Sequence, residues 1–542
     1  MQGADVIAAA MRLRAVRAAG KFAWSGHSLL PTTDAVRVSS ARQVAGLYAD
    51  SGHHQDAAEV LQVAAERTQG SAQTELLAAR VQAQLDGGVT PADLEDVLCA
   101  TLAEADAGLA RSDMPHTVDR LTDALAIAFH PTRHLLVDPS PLLTSPESFL
   151  APLNRSTAIK ALAQPRHDVD PRPRKQEASR VLVLTLDDSD MVQPLLAHYA
   201  TPDVAESGRQ VRYRELASVP QVANKTDLRS IVAARLRYSL SGLRVPVPRE
   251  LQADLDWADV VFVEWGHRVL AWASLLDTRV PIVGRVRKYE AMTPMPMLTA
   301  WEEVGRTIFV ADTIRQVVEA TAPAVRTTQS VIIPERVDLP ELRRDKRPEA
   351  ARTLALIGWN KVSKDPQWAF DVVERLREKD PTWRLLLIGE TEPADRGADG
   401  YYEDLTRRIL KFKDAVEVTG FTEDLSHTLT RVGVIFSSSR LEGQHDSLVQ
   451  GVASGALPVV RDWPDLVRWG GAGSVYPKDW VVGSVEEAAK RILEALPTPS
   501  ASSAARTARN WVARNYNPDR LQNTFDAVVF GSDRNRRLRR RR

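Results

Sequence analysis

The chain has 542 residues, too many for one ordinary hydrophobic core, which predicts two or three domains. Its formal net charge is zero, but seven arginines lie in residues 534–542, so the rest of the chain is mildly acidic, which argues against a nucleic-acid-binding body. The single cysteine, Cys99, excludes an intramolecular disulfide and a cysteine-rich metal site. No apolar run reaches the roughly 18 residues of a membrane span. Arginines interrupt the apolar opening segment, so we expect a cytoplasmic protein without a secretory signal.

Residues 1–165 are rich in alanine and leucine at helical spacing, which predicts an all-helical domain. The stretch ARQVAGLYADSGHHQDAAEVLQVAAERT, residues 41–68, resembles one helix-turn-helix repeat with Gly52 at the turn. We interpret this domain as a helical cap or as a surface for self-association or a protein partner. A tetratricopeptide-like array is the alternative, although convincing further copies at a spacing of about 34 residues are not evident. Polar, proline-rich residues 166–179 predict a linker.

From residue 180 onward, short β-branched runs alternate with amphipathic helical segments. Five such runs lie between residues 180 and 334, and five more between 352 and 462. Runs of this kind are typical of buried parallel strands. Two consecutive series predict two Rossmann-like, doubly wound α/β domains, at residues 180–340 and 341–530. The predicted fold class is therefore α/β, with two such domains preceded by an all-helical domain.

The stretch SRLEGQHDSLVQGVASGALPVV, residues 439–460, predicts a ligand site. A strand ends before it, and Asp446 or Ser447 is placed to cap a helix that ends near Ser454. In an open parallel sheet, ligands lie outside the carboxyl ends of the strands, and a helix N-terminus attracts phosphate. Glu442 on the loop and Gln450 in the helix would reach hydroxyl groups on either side. A diphosphate flanked by two polyhydroxyl rings is a nucleotide sugar.

The same stretch resembles the donor-binding segment of retaining nucleotide-sugar glycosyltransferases with the GT-B fold. In that family a Glu, seven residues and a second Glu precede a small-residue helix and a Gly-x-Pro-Val-Val strand. The matching residues are EGQHDSLVQ followed by GVASGALPVV, with Gln450 in place of the second Glu. The resemblance implies that Glu442 holds hydroxyls of the donor sugar and that Gln450 contacts the ribose.

A second segment, LIGWNKVSKDP at residues 356–366, agrees with this resemblance. The family has a strand that ends in Gly-Arg and a later lysine that neutralises the diphosphate. Gly358 and Lys364 occupy those positions, and Trp359 stands where arginine is usual, so Lys361 is expected to supply the missing charge. The residues predicted to bind the donor are Gly358, Lys361, Lys364, Glu442, Gly443, Gln444, His445, Asp446, Ser447 and Gln450.

The preceding domain resembles the acceptor-side half of the same family. In VPIVGRVRKYE, residues 280–290, Arg287 occupies the position at which many relatives carry a His near the reaction centre. Arg287 and Glu290, with Glu264 and His267 on the preceding strand and loop, are the acceptor-side candidates, and Glu442, Lys364 and Arg287 are the candidate catalytic residues. IIPERVDLPEL, residues 332–342, is similar to the interdomain hinge.

The function implied is transfer of a sugar from a UDP- or GDP-linked donor to a glycan or lipid-linked acceptor, as in polysaccharide or cell-envelope glycan biosynthesis. We expect a retaining reaction without cofactor or metal, and we interpret the Asp-Asp-Ser-Asp run at 187–190 as a βα turn. The alternative is a weak or inactive GT-B scaffold that binds a nucleotide sugar or a partner enzyme. An epimerase or phosphorylase of the same architecture is a third reading. The arginine tail at 531–542 is interpreted as a solvated end, with attraction to an anionic membrane surface as the alternative.

Overall fold

The computed structural model describes most of the chain. The described residues are 33–136, 138–168, 172, 177–187, 192–206, 208–223, 225–337, 339, 342, 344–395 and 397–531. They form two compact units, one built from the chain up to His134 together with Glu147–Ala161, and the other from Leu135–Pro146 together with the chain from Leu162 onward. We call them the helical unit and the sheet unit. The arginines of the tail and residues 188–190 of the acidic run lie outside the described residues.

The helical unit confirms the predicted helical region. The core between α1, α2 and α3 consists largely of alanines, which let the helices pack closely, together with Leu61 and Leu76. Gly52 adopts a positive φ of +77° at the turn between the first two helices, a conformation that favours glycine. Up to residue 163 the described helices are α1 (Asp34–Asp50), α2 (His54–Ala65), α3 (Gly70–Asp86), α4 (Leu94–Ala110), α5 (Met114–Ala128), α6 (Pro131–His134), α7 (Pro141–Thr144), α8 (Pro146–Arg155) and α9 (Thr157–Ala163). Helix α7 belongs to the sheet unit.

The sheet unit contains two parallel sheets of six strands, which confirms the predicted fold class. The strands of the first sheet lie in the order β2-β1-β3-β4-β5-β6. They are β1 (Arg180–Thr185), β2 (Gln210–Glu215), β3 (Val260–Val263), β4 (Ile282–Val286), β5 (Val304–Phe309) and β6 (Gln329–Ile332). Strand order reverses between β1 and β3, so the carboxyl ends of these strands form the ligand-binding crevice expected of this sheet.

The second sheet lies in the order β12-β11-β10-β7-β8-β9. Its strands are β7 (Thr353–Ile357), β8 (Arg384–Ile388), β9 (Val416–Gly420), β10 (Val434–Ser437), β11 (Leu457–Arg461) and β12 (Val481–Val482). Strand order here reverses between β7 and β10, as in the dinucleotide-binding Rossmann fold. We call the parts built around the two sheets the first half and the second half, and residues 333–352 the connecting segment.

The helices of the sheet unit cover the sheets because their apolar faces are buried on them. In the second half, Phe370, Val373 and Leu376 recur at helical spacing and pack with Leu385 and Val434 in the core. From residue 193 onward the helices are α10 (Gln193–Tyr199), α11 (Pro202–Glu206), α12 (Pro220–Ala223), α13 (Leu228–Ser241), α14 (Arg249–Trp257), α15 (Arg268–Ser274), α16 (Lys288–Ala291), α17 (Met295–Leu298), α18 (Asp312–Thr321), α19 (Pro366–Arg377), α20 (Asp399–Lys411), α21 (Leu425–Leu429), α22 (Asp446–Ala453), α23 (Val485–Glu494), α24 (Ser503–Asn515) and α25 (Pro518–Val529).

The last helix, α25, returns from the second half to pack on the first. The ring of Phe525 meets that of Phe262 on β3 edge-to-face at 5.0 Å. The hydroxyl of Tyr199 on α10 donates a hydrogen bond to Asp526. Through these contacts, α25 joins the second half to the first. Within the described part of the chain, we find no helix with the length and apolar character of a membrane span.

Candidate functional site

Two loops meet at the point where strand order reverses in the second sheet. One follows β7 and carries Lys364, and the other follows β10 and carries Glu442. The backbone N–H of Arg440 donates to the carbonyl of Ser363 at 2.9 Å, and the Ser438 hydroxyl donates to the carbonyl of Lys364 at 2.6 Å. These bonds place the two loops side by side, where ligands bind in doubly wound sheets.

Glu442 and Lys364, which the sequence assigns to the same donor site, form an ion pair. The Lys364 ammonium donates to Oε1 of Glu442 at 2.6 Å, and the Ser439 hydroxyl donates to the same oxygen at 2.9 Å. Glu442 is only 3% exposed, and burial alone would raise its pKa. The charges of Lys288 and Lys364 outweigh burial and lower the pKa of Glu442 below its usual range, so this buried carboxyl is ionised. Burial lowers the pKa of Lys364, and the carboxylate of Glu442 opposes that shift.

Lys288 is a member of this site that the sequence analysis missed. It begins α16 in the first half, yet its ammonium lies 3.4 Å from Oε2 of Glu442 and donates to the carbonyl of Leu441 at 3.2 Å. The only sequence signal is its place beside Arg287, one of the predicted residues. Its approach to a loop about 150 residues further along the chain depends on the packing of the two halves.

The loop from Gly443 to His445 lies against the first half and the connecting segment. A Cβ on Gly443 would lie 3.1 Å from Val310 and 3.3 Å from Ile314, so glycine permits the close approach. The side-chain amide of Gln444 accepts a hydrogen bond from the N–H of Glu335 at 2.7 Å and donates to its carbonyl at 3.3 Å. These contacts tie the predicted donor loop to the connecting segment.

His445 points into the domain. Its Nδ1 lies 2.7 Å from the hydroxyl of Ser437, and its Nε2 is buried with no hydrogen-bond partner among the described residues. Burial lowers the pKa of His445 to about 3, so the imidazole is neutral at physiological pH.

Helix α22 begins at Asp446, and its N-cap position is His445, whose side chain does not cap the helix. The prediction that Asp446 or Ser447 is the N-cap is therefore off by one or two residues. Burial and the neighbouring Glu335 raise the pKa of Asp446 to about 6. Ser447 and Gln450 lie partly buried on the same helix, with Gln450 one turn beyond its start.

Three glycines with positive φ angles lie at the carboxyl ends of adjacent strands of the second sheet. Gly358 after β7 has φ +72°, Gly389 after β8 has +124°, and Gly420 at the end of β9 has +68°. Backbone bonds from Gly358 to Ile388 and from Gly389 to Gly420 join the three strand ends. A Cβ on Gly358 or Gly420 would meet open space, whereas one on Gly389 would lie 3.3 Å from the backbone of Gly358; we call these three glycines the glycine shelf.

Other residues of these loops lie at the two extremes of exposure. Trp359, at the position where the family has arginine, is buried in the core of the second half. Lys361 is exposed, and its charge helps to lower the pKa of Lys364. Phe421, which follows Gly420, is 75% exposed at the end of the glycine shelf.

The predicted acceptor-side residues form a buried charge cluster. Glu264 follows β3, where strand order reverses in the first sheet. The guanidinium of Arg287 donates to the Glu264 carbonyl at 2.8 Å and pairs with the carboxylates of Glu264 and Glu335. Arg285 donates to Oε1 of Glu264 at 3.0 Å. Although burial opposes it, the carboxylates beside Arg287 raise the pKa of this guanidinium above its usual value.

Glu290 and His267 lie beside this cluster. Oε2 of Glu290 accepts from the backbone N–H of Arg287 at 3.2 Å, and its Oε1 has no hydrogen-bond partner among the described residues. Burial raises the pKa of Glu290 to about 7. Burial, with a smaller contribution from Arg268, lowers the pKa of His267 to about 4, and its ring centroid lies 5.4 Å from that of Tyr289.

A cavity of about 230 Å³ joins the charge cluster to the start of α22. It is lined by Pro194, Leu195, Arg285, Ile333, Pro334, Glu335, Arg336, Asp446, Leu521, Gln522 and Phe525. Both halves, the connecting segment and α25 therefore contribute to its wall. Among the described residues, no group of three His, Cys, Asp or Glu side chains is arranged to hold a metal ion.

Residues 351–497 match the family model described as Glycosyl transferases group 1. This part of the chain is a group 1 glycosyltransferase domain, which confirms the predicted resemblance and the prediction of an enzyme that transfers sugars. A search of curated proteins found no match.

Several solved structures are similar to this chain at low identity. HepE from Anabaena, in complex with UDP, is 13% identical, with 64% of this chain and 97% of that chain covered and a TM-score of 0.47. TarM from S. aureus is 13% identical, with 56% and 58% covered and a TM-score of 0.40. A mutant O-GlcNAc transferase from Thermobaculum terrenum is 13% identical, with 91% and 96% covered and a TM-score of 0.44. The match therefore spans little more than half of TarM, and likenesses this distant indicate no substrate for this chain.

Proposed function

We propose that this chain transfers a sugar from a nucleoside diphosphate donor, UDP- or GDP-linked, to a glycan or lipid-linked acceptor, with retention of configuration and without a metal or cofactor. The observation that carries this proposal is the Lys364–Glu442 pair, which lies at the strand-order reversal of the group 1 domain. A cation, a hydroxyl-binding carboxylate and a helix N-terminus meet there, which suits a sugar diphosphate.

The leaving diphosphate would lie between Lys364 and the first amides of α22. As the bond to the sugar breaks, negative charge develops on the diphosphate, and preorganised donors at that position stabilise the transition state. Glu442 would accept hydrogen bonds from sugar hydroxyls through Oε2, because Lys364 and Ser439 already occupy Oε1. Gln450 would contact the ribose one turn further along the helix.

The glycine shelf offers a place for the base. The space beside Gly358 and Gly420 is open and would admit a planar group, and Phe421 presents an exposed ring next to Gly420. Base–aromatic stacking contributes about 1–3 kcal/mol. The preferred base would follow from backbone hydrogen bonds along these strand ends.

The acceptor would enter from the side of the first half. The cavity carries charged groups from both halves, and Glu264, Arg287 and His267 lie along that side of the site. Glu290 is buried, its pKa is raised to about 7, and its Oε1 has no hydrogen-bond partner among the described residues, so it would hold or release a proton beside Arg287 near neutral pH. Arg287 would keep Glu264 and Glu335 in place.

In this proposal the protein works in the cytoplasm, in polysaccharide or cell-envelope glycan synthesis. The arginine tail would attract it to an anionic membrane that carries a lipid-linked acceptor, since each basic residue near such a surface contributes about 1 kcal/mol. The helical unit would offer a surface for a protein partner or a second copy.

A second candidate is a GT-B scaffold that binds a nucleotide sugar or a partner enzyme without turnover. Two observations favour it. Asp446 brings a carboxyl group to the helix N-terminus at which the diphosphate would bind, and Glu442 already neutralises Lys364.

The test measures binding of UDP, GDP, ADP and dTDP by calorimetry, with and without magnesium. We expect the protein to prefer one nucleotide, with an affinity that does not depend on magnesium. Lys364→Ala should weaken the affinity for that nucleotide by at least about tenfold. Lys379→Ala is the matched control, because Lys379 is exposed just beyond the carboxyl end of α19, at the opposite edge of the sheet. Loss of binding in both variants, or absence of binding in the wild type, would refute the assignment of the donor site.

Turnover separates the two candidates. Nucleoside diphosphate release is followed with the corresponding nucleotide sugar and cell extracts as the source of acceptor. Release that is lost in Glu442→Ala supports the transferase, whereas tight donor binding without release in any extract supports the scaffold.

A further inference from the structure

The charge of Lys364, the cation predicted for the donor site, is already neutralised by the carboxylate of Glu442. Lys364 and Glu442 are both buried and lie 2.6 Å apart, so together they present a neutral pair to an approaching diphosphate. A diphosphate carries negative charge into a poorly solvated site, where an uncompensated anion is costly. If this pair is the centre of a donor site, a further positive charge is needed close to it.

We propose that Lys288, from the first half, is a positioning residue of the donor site that adds a positive charge beside the neutral pair of Lys364 and Glu442; this inference rests on the proposed function. Its ammonium lies within reach of Oε2 of Glu442 and donates to the carbonyl of Leu441. The group of Lys288, Lys364 and Glu442 carries one positive charge, whereas the pair without Lys288 carries none.

The distances around Glu442 show how Lys288 acts. Lys364 and Ser439 hold Oε1 at 2.6 and 2.9 Å, whereas Lys288 approaches Oε2 at the longer distance of 3.4 Å. The Lys288 side chain also keeps a quarter of its surface exposed. Oε2 therefore has one long contact and can accept a further hydrogen bond from a sugar hydroxyl, while the charge of Lys288 keeps the carboxylate ionised.

Neighbouring cations are less suited to this role. The guanidinium of Arg287 is paired with Glu264 and Glu335, and Arg461 is paired with Asp365 at 2.6 Å. Lys361 is exposed, so water and salt screen its charge. Lys288 is within hydrogen-bond reach of the carboxylate that the sugar would use.

Lys288 also makes the charge of the site depend on the packing of the two halves. Both hydrogen-bond partners that we find for its ammonium among the described residues, Leu441 and Glu442, belong to the second half. If the halves separate, the second half retains only the neutral pair of Lys364 and Glu442. Stabilisation of the leaving diphosphate would then be complete only in the closed protein, which limits hydrolysis of the donor when the acceptor half is away.

The test compares charged and uncharged ligands. UDP and uridine, and GDP and guanosine, are titrated against wild type, Lys288→Met, Lys288→Arg and the exposed control Lys379→Met. We expect Lys288→Met to weaken binding of the preferred diphosphate on the order of tenfold and to leave binding of its nucleoside within about twofold. Lys288→Arg should restore most of the affinity, because it keeps the charge.

A purely structural role of Lys288 predicts a different pattern. Disruption of the loop by Lys288→Met would weaken the nucleoside and the diphosphate alike, and that result would overturn the inference. Equal diphosphate affinity in Lys288→Met and wild type would also overturn it, while leaving the proposed function standing. No diphosphate binding by wild type would overturn both.

Discussion

Removal of Lys364 should destabilise the second half because it leaves a buried carboxylate with fewer partners. We consider Lys364→Met, Glu442→Gln and the double variant as a thermodynamic cycle. Methionine keeps the length of the lysine side chain without its charge, and glutamine keeps an oxygen near Ser439. The cycle isolates the interaction between the two groups from the effect of each substitution alone.

The structure sets the size of the effect. Loss of one partner of a buried ion pair costs about 3–5 kcal/mol when nothing replaces it. Glu442 keeps the hydroxyl of Ser439 at 2.9 Å and the ammonium of Lys288 at 3.4 Å, so we expect Lys364→Met to cost about 2–3 kcal/mol. Glu442→Gln should cost about 2 kcal/mol, and the double variant about the same as one single variant, which gives a coupling of about 2 kcal/mol.

Equilibrium unfolding in urea, followed by tryptophan fluorescence, measures these free energies. Trp359, Trp383 and Trp463 are buried in the second half and report on its unfolding. Because a protein of several domains need not unfold in one step, the comparison uses the transition that these residues report. Additive effects of the two single substitutions, within about 0.5 kcal/mol, would refute the pairing.

Three further outcomes are expected. Asp446 has a folded pKa near 6, above its unfolded value, so the folded state holds an extra proton between about pH 4 and 6. Protonation removes a negative charge from the start of α22, so binding of a nucleotide sugar should strengthen as pH falls through 6. Calorimetry should show no such change in Asp446→Asn. A Cβ on Gly433 would lie 1.9 Å from a backbone oxygen, whereas one on Gly473 meets nothing, so Gly433→Ala should cost at least about 1–3 kcal/mol and Gly473→Ala well under 1; similar unfolding midpoints would contradict this. Tyr199→Phe removes a bond to Asp526 and should speed proteolytic release of α25, and an unchanged cleavage rate would show that this bond does not hold the helix.

The second half was predictable from sequence because local pattern and tertiary packing agree there. The runs that became β7, β8, β10 and β11 are apolar and buried, and the loops after β7 and β10 carry Lys364 and Glu442, which the structure brings into contact. Their roles in binding a donor stay predictions. Strand β2, with the sequence QVRYRE, was missed because it is a partly exposed edge strand without an apolar run. Strand β12 was missed because it has only two residues.

The parts of the site that depend on distant packing were not predictable. Nothing in the local sequence indicates that Lys288 reaches Glu442, because the contact joins segments beside two different sheets, about 150 residues apart in the chain. Burial of His445 beside Ser437 likewise follows from packing inside the domain, whereas its place in a polar run suggested a ligand contact. The pairing of Arg287 with both Glu264 and Glu335 depends on where the connecting segment lies.

The contact between Gln444 and Glu335 has a consequence for protein engineering. Gln444 donates to the side chain of Asp446 and otherwise bonds the backbone N–H and carbonyl of residue 335, so its bonds to residue 335 do not depend on the side chain at that position. The Glu335 carboxylate, by contrast, faces Arg287 and Arg285 of the first half. A chimaera that receives its second half from a relative therefore needs an amide at position 444, whereas residue 335 must match the arginines of the first half. A recombination of the two halves also has to preserve the approach of Lys288 to Glu442 and the close packing at Gly443.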